Sequence, residues 1–102
     1  MIIYNVTVNV ESSVEKEWLK WMQEIHIPDV MKTGLFVENK ILRLLSQNEG
    51  EIGTTYAIQY ACKSMKDFEI YQKNHAPVLQ QEHLKRYKDK CLAFRTMLET
   101  VD

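Results

Sequence analysis

Two short segments place an imidazole two residues before a proline. Residues 24–30 read EIHIPDV and residues 73–79 read KNHAPVL, so His26-Ile27-Pro28 is echoed by His75-Ala76-Pro77. Proline lacks an N–H, clashes with the preceding turn and disfavours α geometry in the residue before it. Each histidine is therefore expected near the end of a broken helix. A neutral imidazole there, with one nitrogen held by a backbone carbonyl, leaves the other free to shuttle a proton, hydrogen-bond or ligate. It can equally cap the last carbonyls and complement the helix dipole. Both uses stay open for His26 and His75, the candidate catalytic residues. His75 falls centrally on an otherwise apolar face, where an imidazole must find a partner. His83 reads as a solvated side chain.

The aromatic inventory beside them includes Trp18, Trp21, Tyr56, Tyr60 and Tyr71. Helical spacing makes the two tryptophans core residues first. A pocket between helices and a sheet would be walled by the same kind of side chain plus a few polar groups. Trp18, Trp21 and Tyr71 are accordingly the candidate ligand-binding residues. Other chemistries are set aside. The sequence holds no glycine-rich phosphate loop, no G-x-S-x-G and no H-E-x-x-H. Two histidines with Glu24 or Asp29 could bind a metal, but no spacing requires it, and no metal is expected. Cys62 and Cys91 make neither C-x-x-C nor zinc spacing and are too few for an iron–sulfur cluster. They read as free, buried thiols, and no cofactor is implied.

The elements that must position these groups are set by periodicity. Residues 2–10 alternate, with Tyr4, Val6, Val8 and Val10 on one face, as a half-buried strand does. Ser12 and Glu15 have capping-box spacing. Val14, Trp18, Trp21, Met22 and Ile25 then form a helical stripe, with Leu19 and His26 at its edge, that should break at Ile27 before Pro28. A short turn through Met31 ends at Gly34. Residues 35–45 read as a second strand, 46–53 as a glycine-bearing turn, and 54–62 as a third strand with Tyr56, Ile58, Tyr60 and Cys62 on one face. Ser64 with Asp67 marks a second helix start. Met65, Phe68, Tyr71, Gln72 and His75 share its face, and Pro77 should kink or split it before residues 78 to about 88 resume. Residues 91–101 alternate Leu92, Phe94, Thr96 and Leu98 against Ala93, Arg95 and Met97.

The order β-α-β-β-α-β predicts an α+β, ferredoxin-like domain. A four-stranded antiparallel sheet carries its helices on one face, with the second helical region kinked or split at Pro77. The bulkier set of the last strand is expected to join Tyr4, Val6, Val8 and Val10 under the helices. Asn5, Thr7, Asn9, Ala57, Gln59, Ala93, Arg95 and Met97 would then form the bare face. That mixed face is either plain solvated surface or a wet subunit interface, and a homodimer through the open sheet face is the expectation.

The 102 residues suit one domain, 1–102, and 45 % hydrophobic with 26 % charged residues is ordinary globular composition. With 13 basic against 14 acidic residues there is no global excess to hold phosphates. The run Lys85, Arg86, Lys88, Lys90 complements a helix end. An RNA-recognition motif would need stacking aromatics on the open sheet face, whereas the tyrosines of the third strand alternate with the inward side. Nucleic acid is not an expected partner. No apolar run is long enough to span a membrane, and Met1 leads into the first strand with no basic leader. A cytoplasmic location is the expectation.

Five stretches add a resemblance: HIPDVM with TGLF at 26–36, MIIYNVTVNV at the start, TYAIQY in the third strand, HAPVLQQEH in the second helical region and AFRTMLE near the end. Together they resemble a family of small bacterial proteins of unknown function. That family in turn is similar to the dimeric α/β-barrel group, whose members include cofactor-independent monooxygenases, small isomerases and haem-binding proteins. The resemblance implies the fold and the dimer, and it brings no catalytic residue with it. The functional expectation is an uncharacterised domain that binds a small molecule or acts on one as a cofactor-independent, monooxygenase- or isomerase-like enzyme. The alternative is a non-enzymatic dimeric regulatory or assembly module.

Overall fold

The computed structural model describes residues 1–46 and 50–101. Strand β1 (Ile2–Val10) leads to helix α1 (Glu15–Trp21), a wider π-helical turn over Met22–His26, and helix α2 (Ile27–Lys32). Strands β2 (Glu38–Arg43) and β3 (Thr54–Cys62) come next, then helices α3 (Met65–Asn74) and α4 (Ala76–Tyr87), and strand β4 (Cys91–Glu99). The sheet order is β2-β3-β1-β4 with every pair antiparallel. Part of the expected turn over 46–53 lies outside the described residues.

The alternation of β1 and β3 is used as the pattern requires. Tyr4, Val8, Val10, Tyr56, Ile58, Tyr60 and Cys62 are buried under the helices with Trp18, Trp21, Met22, Phe68 and Tyr71. The tyrosines of β3 therefore face inward. Cys62 and Cys91 are free, at opposite ends of β1 in the register. The second strand is shorter than 35–45, although Val37 and Leu44 each add one hydrogen bond to β3. Ser64 caps α3 by accepting from the Asp67 N–H at 3.2 Å. The second helical region splits at His75, whose φ of −126° separates α3 from α4.

Three expectations are corrected. First, no capping box forms at Ser12. Val14 stands at the N-cap, and the Glu15 carboxylate is drawn to the sheet instead, accepting from Tyr56 OH at 2.6 Å and Thr54 Oγ1 at 3.0 Å. Second, the first helical stretch does not break at Ile27. Pro28 cannot donate to the carbonyl four residues back, and the π turn absorbs this defect: the Ile27 N–H reaches Met22 O, five residues back. The extra residue changes the phase of the stripe. Ile27 takes the inward position, Ile25 turns out to 48 % exposure, and His26 swings onto Trp21.

Third, β4 has the opposite phase from the one expected. Its register with β1 pairs Tyr4 with Met97, Val6 with Arg95, Val8 with Ala93 and Val10 with Cys91. Ala93, Arg95 and Met97 thus lie on the helix side, while Leu92, Phe94 and Leu98 lie on the open face, at 75 %, 59 % and 46 % exposure. The open face keeps Asn5, Thr7, Asn9, Ala57 and Gln59, and Leu42 of β2 joins them opposite Ala57. Asn5 is the hub of its polar part. Its amide donates to Thr7 and Thr96 hydroxyls, and its carbonyl oxygen accepts from Gln59.

Candidate functional site

Two adjoining spaces lie between the helices and the β3–β1–β4 part of the sheet. The inner one, about 30 Å³, lies between the sheet and the π turn, with His26, His83 and Tyr60 among its walls. A volume of that size holds about one water. The outer one, about 180 Å³, opens beside α3 and is walled by Phe68, Tyr71, Ala76 and Met97. Tyr4, Tyr71, Gln80 and Arg95 border both. Gln80, His83 and Arg95 also line a larger groove, about 520 Å³, between α4 and β4.

The shared boundary is where the polar groups converge. The Tyr4 hydroxyl accepts from Arg95 Nε at 3.1 Å and from Gln80 Nε2 at 3.5 Å. With two donors aimed at its oxygen, that hydroxyl has its own proton left to give. Tyr4 is held by the aromatic cluster around it, with ring centres 5.1 Å from Phe68, 5.8 Å from Tyr71 and 6.1 Å from Phe36. Burial pushes the phenols of Tyr60 and Tyr71 well above their ordinary range.

Two imidazoles stand at the inner end. His26 stacks on Trp21 at 5.0 Å, and its buried Nδ1 has no hydrogen-bond partner within the protein. His83, on α4, is half-buried rather than solvated, because Trp18 of α1 donates through Nε1 to His83 Nε2 at 2.9 Å. An accepting Nε2 means that a neutral His83 carries its proton on Nδ1. The ring centres of His26 and His83 are 6.0 Å apart. Desolvation first, then the neighbouring charge of His83, pushes His26 down to about 4. Desolvation and then Arg95 push His83 down to about 4 as well. Both are neutral at pH 7, as a general base or a hydrogen-bonding group requires.

His26 and Tyr71 thus border the cavity. Trp18 and Trp21 do not line it; they stand behind His83 and His26 and hold them in place. His75 lies at the α3–α4 junction, stacked on Tyr71 at 6.3 Å and outside both linings. Arg95, Gln80, Tyr4 and His83 were not singled out as site residues from sequence. Only Arg95 left a usable trace, as the one cation in the alternating last strand. Among the described residues, no three His, Cys, Asp or Glu side chains stand where they could share a metal ion. No helix of the described residues is long and apolar enough to cross a membrane.

The family model for a domain of unknown function, DUF4286, matches residues 1–101. No curated protein matches the sequence. Among solved structures, an ethyl tert-butyl ether d (EthD) family protein of Bacillus halodurans is similar at 12 % identity, covering 99 % of this chain and 100 % of its own, with a TM-score of 0.69. An antibiotic biosynthesis monooxygenase is similar at 7 % identity, covering 100 % of both chains, with a TM-score of 0.68. A dimeric ferredoxin-like protein from an uncultured marine organism is similar at 13 % identity, covering 99 % and 95 %, with a TM-score of 0.63. At these identities the likeness is one of fold, which is ferredoxin-like α+β.

Proposed function

We propose that this chain, which belongs to the DUF4286 family, is a small-molecule-binding domain whose site is the cleft between α3–α4 and the β1–β4 half of the sheet. The observation that carries the reading is the convergence of Arg95, Gln80 and Tyr4 at the shared wall of two adjoining spaces, with an unpartnered imidazole nitrogen at the inner end. Concave sites walled by apolar and aromatic groups with a few polar groups aimed inward are the usual form of ligand pockets. His26 is the group proposed to accept or return a proton, because its neutral Nδ1 is free of the protein. His83, held by Trp18, orients or hydrates the same region. Tyr71 is a wall. The candidate His75 would act only through Tyr71.

A homodimer through the open sheet face belongs to the same reading. Leu42, Leu92, Phe94 and Leu98 expose apolar surface on either side of the polar Asn5–Gln59–Thr96 group. An apolar core with a few satisfied hydrogen bonds suits a subunit interface. The similar marine protein described as dimeric supports it. A cytoplasmic location is proposed as well; Cys62 and Cys91 are held apart by the length of β1 and carry no disulfide that a reducing compartment would break.

Native mass spectrometry of the protein as purified, with a fragment screen followed by backbone NMR, tests the site. The expected result is a bound small molecule, or fragments that shift Tyr71, Gln80 and Arg95. Binding should be lost in His26→Ala with the fold retained. Fragments that shift only the open sheet face would overturn the proposal.

A further inference from the structure

Resting on that reading, we propose that the cleft takes a monoanion, a flat apolar body bearing one carboxylate or similarly acidic oxygen, with Arg95 as its counter-ion. Arg95 is the one charged side chain among the described residues lining the inner and outer spaces, so no carboxylate of those walls neutralises its guanidinium. The ion pair of Lys90 with Glu11 is far from the cleft, at the other end of β1. The Arg95 Nε is spent on Tyr4, which fixes the plane of the group and leaves the two terminal nitrogens for a partner. A planar guanidinium binds a carboxylate through paired N–H···O bonds that an ammonium cannot reproduce.

The neighbours fit the same ligand. The Tyr4 hydroxyl, already accepting twice, has a proton to donate to an anionic oxygen beside the guanidinium. The imidazoles add no charge at pH 7, which leaves a single positive charge to be matched. Phe68, Tyr71, Ala76 and Met97 offer apolar contact to the rest of the molecule. The outer space of about 180 Å³ is of the size that admits a single aromatic ring. Its open side allows a substituent to extend outward.

Benzoate and its neutral isostere benzamide are the probes, titrated into the wild-type protein and followed by NMR. The expected result is benzoate binding about tenfold or more tightly than benzamide, the worth of one charge-assisted contact. Tyr71 and Gln80 resonances should shift. Arg95→Gln should remove the preference by weakening benzoate alone, and Arg95→Lys should restore part of it. Equal affinity for the two probes in the wild type, with those resonances still shifting, overturns the anion and leaves the cleft as a ligand site. No shift at those residues with either probe overturns the cleft itself. The wild-type comparison stands even if a variant fails to fold.

Discussion

The indole of Trp18 donates to His83 Nε2 at 2.9 Å, tying the first helix to the last across sixty-five positions of sequence. This one bond explains why a histidine that looks like surface is half-buried, and it selects the tautomer in which His83 carries its proton on Nδ1. Trp18 itself is fully enclosed and packs at 5.0 Å on Tyr56.

Trp18→Phe keeps an aromatic ring there but leaves His83 Nε2 without its donor. An acceptor left without its donor at this half-buried position costs at most about 1–3 kcal/mol, and the smaller ring adds a packing loss. Urea unfolding should show destabilisation of about 2–4 kcal/mol by that sum. Nitrogen-15 NMR of the imidazole should show mixed tautomers in place of one. An unchanged tautomer would mean that another group orients His83.

Acid should destabilise the protein through the two histidines. Both are pushed down to about 4, from an ordinary 6.5. The unfolded chain therefore binds protons first as the pH falls. The stabilisation is fully present above about pH 6.5 and is lost progressively toward pH 4, by at most about 1.4 kcal/mol per pH unit for each group, and less because both keep some contact with solvent. Unfolding curves between pH 7 and pH 4 check this. A double variant, His26→Phe with His83→Gln, should flatten the dependence in that window.

His26→Phe preserves the stacking on Trp21 and removes the buried nitrogen that has no protein partner. Removing such a group should raise stability by about 1 kcal/mol while abolishing ligand binding. Thermal melts with the fragment screen test both halves. A destabilised variant would show that Nδ1 is satisfied in solution, by water or by a ligand.

Phe94→Glu places a charge in the middle of the exposed apolar strip of β4. The folded monomer should tolerate it, since Phe94 is outside the core. Sedimentation velocity should show the wild type as a dimer and the variant as a monomer with unchanged circular dichroism. A monomeric wild type would remove the sheet-face dimer from the proposed function.

Much of the architecture was readable without coordinates. The period-two patterns of residues 2–10 and 54–62 match β1 and β3 residue for residue, because both strands are buried on one side and polar on the other. The Ser64 cap and the split near Pro77 arise from local chemistry, which acts within a few residues. Pro28 signals a lost hydrogen bond, yet the helix runs on through it. A missing hydrogen bond was certain, but a helix can close over it by widening one turn instead of breaking. That choice rests on whether Trp21, Met22 and Ile27 can all reach the same core.

What sequence alone determined is therefore the set of elements, their order, and the inward faces of the strands that are buried on one side. Tertiary structure decided the phase of β4 and the membership of the cleft. At the edge of the sheet, β4 has no close-packed helix above it, so hydrophobic alternation does not select its inner face. Its register with β1 does, placing Arg95 beside Tyr4 and turning Phe94 outward. His83 and Gln80 likewise enter the site because α4 lies across α1 and β1, a contact between distant segments that no local pattern encodes.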